Sequence, residues 1–97
     1  MSTRRKNLLA EAELDRIAGH FRLLSEPMRL RILQVTCGEP RTVTEIVQAT
    51  GASQANVSKH LALLAAAGIL SRRKEGLRVF YQLTDPLTLK LCALMHG

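Results

Sequence analysis

Tryptophan is absent from this 97-residue chain, and aromatic residues make up only 3% of it. Unstacked bases are held on aromatic platforms, so single-stranded nucleic acid is a poor match as a partner. No apolar run approaches the roughly 18 residues that a membrane-spanning helix requires, so no membrane partner is expected. Cysteine is sparse, with Cys37 and Cys92 the two thiols. No secretory apolar stretch precedes them, which suggests a reducing, cytoplasmic setting. Acids are scarce too: 8 Asp and Glu face 14 Lys and Arg, for a net charge of +6. That excess favours a polyanionic partner. A glycine-rich phosphate loop, paired acids in a plausible cleft and a defensible Ser/His/Asp order are all missing, so neither an enzyme nor a cofactor is expected.

What is present is helical periodicity, then alternation. Residues 1–97 read as one small domain, whose core is modest because so short a chain buries only about 60–70% of its unfolded surface. Residues 1–8, opening Met1-Ser2-Thr3-Arg4-Arg5-Lys6, are expected to form a flexible basic arm. Leu14, Ile17, Ala18, Phe21 and Leu24 recur at helical spacing and predict an amphipathic helix over 9–25. Ser25-Glu26-Pro27 starts a second, with Leu30, Leu33 and Cys37 on one stripe and Met28 and Ile32 beside it. Gly38 and Pro40 end it. Thr42-Val43-Thr44-Glu45 matches a capping box opening a third helix, which runs to about Thr50. Gly51 supplies a turn, and Ser53 caps a fourth helix with Val57, Leu61, Leu64 and Ala65 on its apolar face. Beyond Gly68 the pattern alternates. Strands over 69–74 and 77–83 flank a tight turn at Glu75-Gly76, and Val79, Tyr81 and Leu83 face opposite to Arg78, Phe80 and Gln82. Asp85-Pro86 opens a last helix carrying Leu87, Leu91, Leu94 and Met95.

Two short helices joined at a glycine, over 42–67, have the layout of a helix-turn-helix. Three separated runs go further. Leu24-Ser25-Glu26-Pro27-Met28-Arg29-Leu30-Arg31-Ile32-Leu33, Ser53-Gln54-Ala55-Asn56-Val57-Ser58-Lys59-His60-Leu61 and Leu70-Ser71-Arg72-Arg73-Lys74-Glu75-Gly76-Leu77-Arg78-Val79-Phe80-Tyr81 resemble the second helix, recognition helix and wing of the ArsR/SmtB-type winged helix-turn-helix repressors. The resemblance covers about residues 14–97. It implies a mostly α fold with a small β-hairpin, in the order α-α-α-α-β-β-α, dimerising through its first and last helices (86–96 being the last). It also implies a homodimer on a palindromic operator in double-stranded DNA, released by an inducer.

In such an arrangement Ser53, Gln54, Asn56, Ser58 and Lys59 begin the recognition helix, where Gln and Asn can pair bidentately with adenine. His60 resembles a position near the DNA in the family, and a helix-packing or surface histidine explains it equally well. In the wing (69–83), Arg72, Arg73, Lys74 and Arg78 against the lone acid Glu75 suit phosphate or minor-groove contact, or else a merely solubilising surface.

The inducer is less legible. Many relatives bind metal through a cysteine pair opening the third helix, where this chain has Thr42 and Thr44. Others bind zinc on the last helix. Asp85 matches the first ligand there, but Leu87 stands where a histidine is needed, so no metal site is assigned. Cys37 and Cys92 remain. They are small core residues, a sensor pair for redox or reactive-sulfur signals, or thiol ligands for a soft metal or metalloid with His20 or His96. Some relatives sense oxidants or reactive sulfur with one cysteine on each of these two helices, although the positions do not coincide. A winged-helix module for protein–protein assembly, without a sensor, is a further alternative.

Overall fold

The computed structural model describes residues 8–96. The expected basic arm, apart from Leu8, lies outside the described residues. Five helices and three strands follow in order: α1 (Glu11–Leu24), α2 (Pro27–Thr36), β1 (Arg41–Thr42), α3 (Val43–Thr50), α4 (Gln54–Ala66), β2 (Leu70–Glu75), β3 (Arg78–Leu83) and α5 (Pro86–His96). This is a winged helix-turn-helix.

Local chemistry sets most of the boundaries. The Glu26 carboxylate accepts from the amides of Met28 and Arg29, with Pro27 opening α2 where no N–H is needed. At α3, Thr42 Oγ1 accepts from the Glu45 amide at 3.2 Å while Glu45 Oε1 accepts from the Thr42 amide at 2.9 Å. Gly51 ends that helix at φ +73°, a conformation that disfavours any side chain. Ser53 Oγ accepts from the Asn56 amide at 3.1 Å and opens α4.

The core joins Ile32 and Leu33 of α2, Ile46 of α3, and Val57, Leu61 and Leu64 of α4 to Ile69, Leu70 and Leu83 from the base of the hairpin. Leu24 and Cys92 close it from α1 and α5. Leu23 of α1 and Leu89 and Leu91 of α5 pack against it half-buried. The expected α1 stripe is mostly outside, with Leu14 and Phe21 exposed and only Leu24 buried. On α5 the inward positions are Thr88 and Cys92, one turn apart, while Leu87, Leu94 and Met95 face outward. On α2 the inward stripe is Ile32, Leu33 and Thr36, and Leu30 points away. These outward leucines obey helical periodicity, yet the described residues of a single chain leave them exposed.

The sheet is antiparallel with order β1-β3-β2. β1 adds a strand to the expected hairpin, pairing Arg41 with Tyr81 and Thr42 with Phe80. A two-residue strand leaves no alternating pattern to read in the sequence. The hairpin turn sits one residue later than expected: Glu75 pairs with Arg78, so Gly76-Leu77 make the turn. Gly76 has φ +62° and, among the described residues, none other than glycine has positive φ, which fits a type II′ turn with glycine first.

Candidate nucleic-acid interface and thiol pair

Burial of Val57, His60, Leu61 and Leu64 turns one face of α4 into the domain and fixes which side chains remain outside. Gln54, Asn56, Ser58 and Lys59 are all exposed on its N-terminal half. The free amides and dipole of that helix end add positive potential there. Ser53 is exposed as well, with its hydroxyl engaged in the cap.

His60 corrects the expectation that placed it with the DNA-facing set. It is 7% exposed and turned toward α2. Its Nδ1 accepts from Arg29 Nε at 3.2 Å, and its Nε2 lies 3.5 Å from Glu26 Oε2. The sequence placed it in the right helix, but its inward direction depends on a partner 31 residues away.

The wing cations do not form one patch. Side chains of paired residues share a face. Arg72 and Lys74 therefore lie with Tyr81 and Val79, whereas Arg73 lies with Phe80. Phe80 carries two guanidinium groups, that of Arg73 5.6 Å and that of Arg78 5.4 Å from its ring centre. Arg73 Nε also meets Glu75 at 2.8 Å. All four cations are exposed, and one face of the wing holds two of them pre-oriented on an aromatic ring. Nothing in the charge count signalled this role for Phe80.

The two thiols are neighbours. Cys37 follows α2 half-buried, and Cys92 is buried in α5. Burial pushes the Cys92 thiol up, and the adjacent Cys37 sulfur raises it further through charge and hydrogen bonding. Each thiol has its own approach. Cys37 lines a cavity of about 380 Å³ with Gln34, Arg41 and Glu45, and Cys92 lines an apolar groove of about 570 Å³ between α1, α2 and α5. Among the described residues, no group of three or more His, Cys, Asp or Glu is arranged to hold a metal ion. His20, considered as a companion ligand, instead bonds Thr88 Oγ1 at 2.9 Å beside Asp85. Asp85 caps α5, its Oδ2 accepting from the Thr88 amide at 3.0 Å and from its hydroxyl at 2.7 Å.

Among the described residues, no helix is long and apolar enough to cross a membrane.

Comparison with known proteins agrees with this geometry. A helix-turn-helix domain family matches residues 24–73. The probable mercury resistance operon repressor of Streptomyces lividans is 38% identical over 91 residues, covering 89% of this chain and 73% of the relative. Reduced HlyU from Vibrio cholerae N16961 superposes with a TM-score of 0.83 at 28% identity, over 89% of this chain and 90% of that one. The homodimeric winged helix-turn-helix DNA-binding domain of Mb0332 from Mycobacterium bovis, described as a possible ArsR-family regulator, gives 0.78 at 29% identity, over 93% and 86%. The chain belongs to the ArsR/SmtB family of winged helix-turn-helix transcriptional regulators.

Proposed function

We propose that the protein is a homodimeric repressor that binds a palindromic operator through α4 and the wing, and is released when Cys37 and Cys92 react. The exposed polar start of α4, set beside a basic hairpin, is the observation that carries the DNA reading. Ser53, Gln54, Asn56, Ser58 and Lys59 read or position the major groove, and Arg72, Arg73, Lys74 and Arg78 meet phosphates or the minor groove. The apolar residues left outside on α1 and α5, Leu14, Phe21, Leu94 and Met95, support a dimer through these two helices. A two-fold axis there would set the half-sites about one helical turn apart, ~34 Å.

The adjacency of Cys37 and Cys92 supports the sensor. With a hydroperoxide, the Cys37 thiolate takes an oxygen, giving a sulfenic acid and an alcohol or water. Cys92 then attacks that sulfur and forms the disulfide with loss of water. Such a bond would tie α5 to the end of α2 and strain the face on which the dimer rests.

A second reading has its own support. The Streptomyces lividans relative is named a probable mercury resistance repressor, and two adjacent thiolates are a fitting pair for a soft two-coordinate ion.

One titration separates the readings. The protein is added to labelled duplex from its own upstream region, fully reduced, after cumene hydroperoxide or polysulfide, and with Hg²⁺. Tight binding abolished by the oxidant and restored by dithiothreitol supports the redox switch. Release by Hg²⁺ alone supports the metal reading. Tight binding indifferent to every treatment leaves the thiols as packing. Absence of binding in every state overturns the repressor and favours a protein-assembly module.

A further inference from the structure

Two sequence motifs far apart in the chain meet at His60. Arg29, from the second-helix motif, donates Nε to His60 Nδ1 at 3.2 Å and Nη1 to the Leu23 carbonyl in the last turn of α1 at 3.1 Å. Glu26 faces the other ring nitrogen at 3.5 Å while capping α2. Arg29 keeps its charge and can only donate, so Nδ1 presents its lone pair and the ring proton sits on Nε2, toward Glu26. A flipped ring would set carbon against both partners. The cluster thus joins the end of α1, the start of α2 and the middle of α4 through directional bonds.

We propose that His60 is a positioning residue for DNA recognition, fixing with Arg29 and Glu26 the rotation and tilt of α4. The inference rests on α4 being the DNA-reading helix. Apolar packing at Val57, Leu61 and Leu64 holds α4 down but is non-directional, so it tolerates a small roll about the helix axis. Hydrogen bonds to a charged donor do not. Bidentate base contacts require side chains held within about half an ångström, and Asn56 and Lys59 lie within one turn of His60 on the same helix. His60 would therefore govern discrimination between DNA sequences without touching DNA. Through Leu23, the same bonds give α1 a direct hold on the reading helix.

The test compares affinity for the upstream duplex and for a scrambled duplex of equal length, in reduced wild type and in His60→Ala, His60→Asn, Arg29→Lys and the Arg29→Lys/His60→Ala double variant, with circular dichroism confirming the fold. Loss of one hydrogen bond to a charged group should lower the upstream-to-scrambled ratio about tenfold in His60→Ala. Asparagine, whose Oδ1 takes the place of Nδ1, should restore most of it. The double variant should lose no more than the worse single variant. A ratio unchanged in folded His60→Ala, or no recovery with asparagine, overturns the proposal and leaves His60 as packing. If His60→Ala does not fold, Arg29→Lys decides by the same ratio. Wild type that binds both duplexes equally would overturn the DNA-reading assignment of α4 together with this proposal, whereas selective wild type with unaffected variants overturns this proposal alone.

Discussion

Nε2 of His20 in α1 donates to Thr88 Oγ1 in α5 across 2.9 Å, joining residues 68 apart in sequence. The donor is the histidine because the Thr88 hydroxyl proton is already committed to Asp85 Oδ2 at 2.7 Å. The first and last helices, which carry the exposed Leu14, Phe21, Leu87, Leu94 and Met95, are thereby bonded into one platform. Replacing His20 by alanine should cost about 0.5–1.5 kcal/mol of stability, the net worth of one such bond. Urea unfolding of the two proteins measures it, and an unchanged midpoint would mean that α1 docks by packing alone.

Asp85 in the same cluster sets an acid limit. Burial pushes its carboxyl up, but hydrogen bonds from the Thr88 hydroxyl and amide, with His20 and Arg16 nearby, outweigh burial and hold it below the usual range. A depressed carboxylate stabilises the fold fully above its unfolded value, about pH 3.9, and that contribution fades as pH falls through the folded value. Asp85→Asn should therefore lower the melting temperature at pH 7 and narrow its gap to wild type below pH 4. A gap independent of pH would contradict the assignment.

The exposed half of α4 carries the base-reading prediction. Gln54→Ala and Asn56→Ala should each cost ~1–3 kcal/mol of discrimination wherever the native side chain pairs bidentately with adenine. Competition of point-mutated duplexes against the parent reads this directly, and undiminished selectivity would remove these residues from the interface.

The wing should act through charge. Removing Arg73 and Arg78 should shallow the slope of log affinity against log salt by about 0.9 for each phosphate no longer neutralised. Phe80→Leu keeps both charges but removes the ring beneath them. It should weaken binding while leaving most of the slope. An unaltered slope in the double arginine variant would leave the wing in solvent.

Thiol order is also testable. Cys92 is buried and its thiol is pushed up by that burial and by Cys37, so limiting iodoacetamide near neutral pH should label Cys37 first. Peptide mass spectrometry gives the order, and preferential labelling of Cys92 would reverse the attacking and resolving roles.

How much of the fold and site was legible in the sequence follows from the range of each interaction. The Thr42–Glu45 box, the Ser53 cap, Pro27 and the Gly51 turn depend on residues within a few positions, and they appear where their chemistry predicts. The inward direction of His60, the His20–Thr88 bond and the meeting of Cys37 with Cys92 depend on partners brought near only by folding. Leu30 and Phe21 misled in another way. Periodicity marks a residue as apolar-facing without saying whether the apolar partner belongs to the same chain.

The most direct test of DNA recognition is the affinity of reduced protein for its own upstream duplex against a scrambled duplex, measured by fluorescence anisotropy across a salt series. A dimeric repressor reading bases through α4 should show a preference of at least about a thousandfold, two chains per duplex, and a steep fall of affinity with salt. Equal, weak binding to both duplexes, with one chain per site, would contradict it.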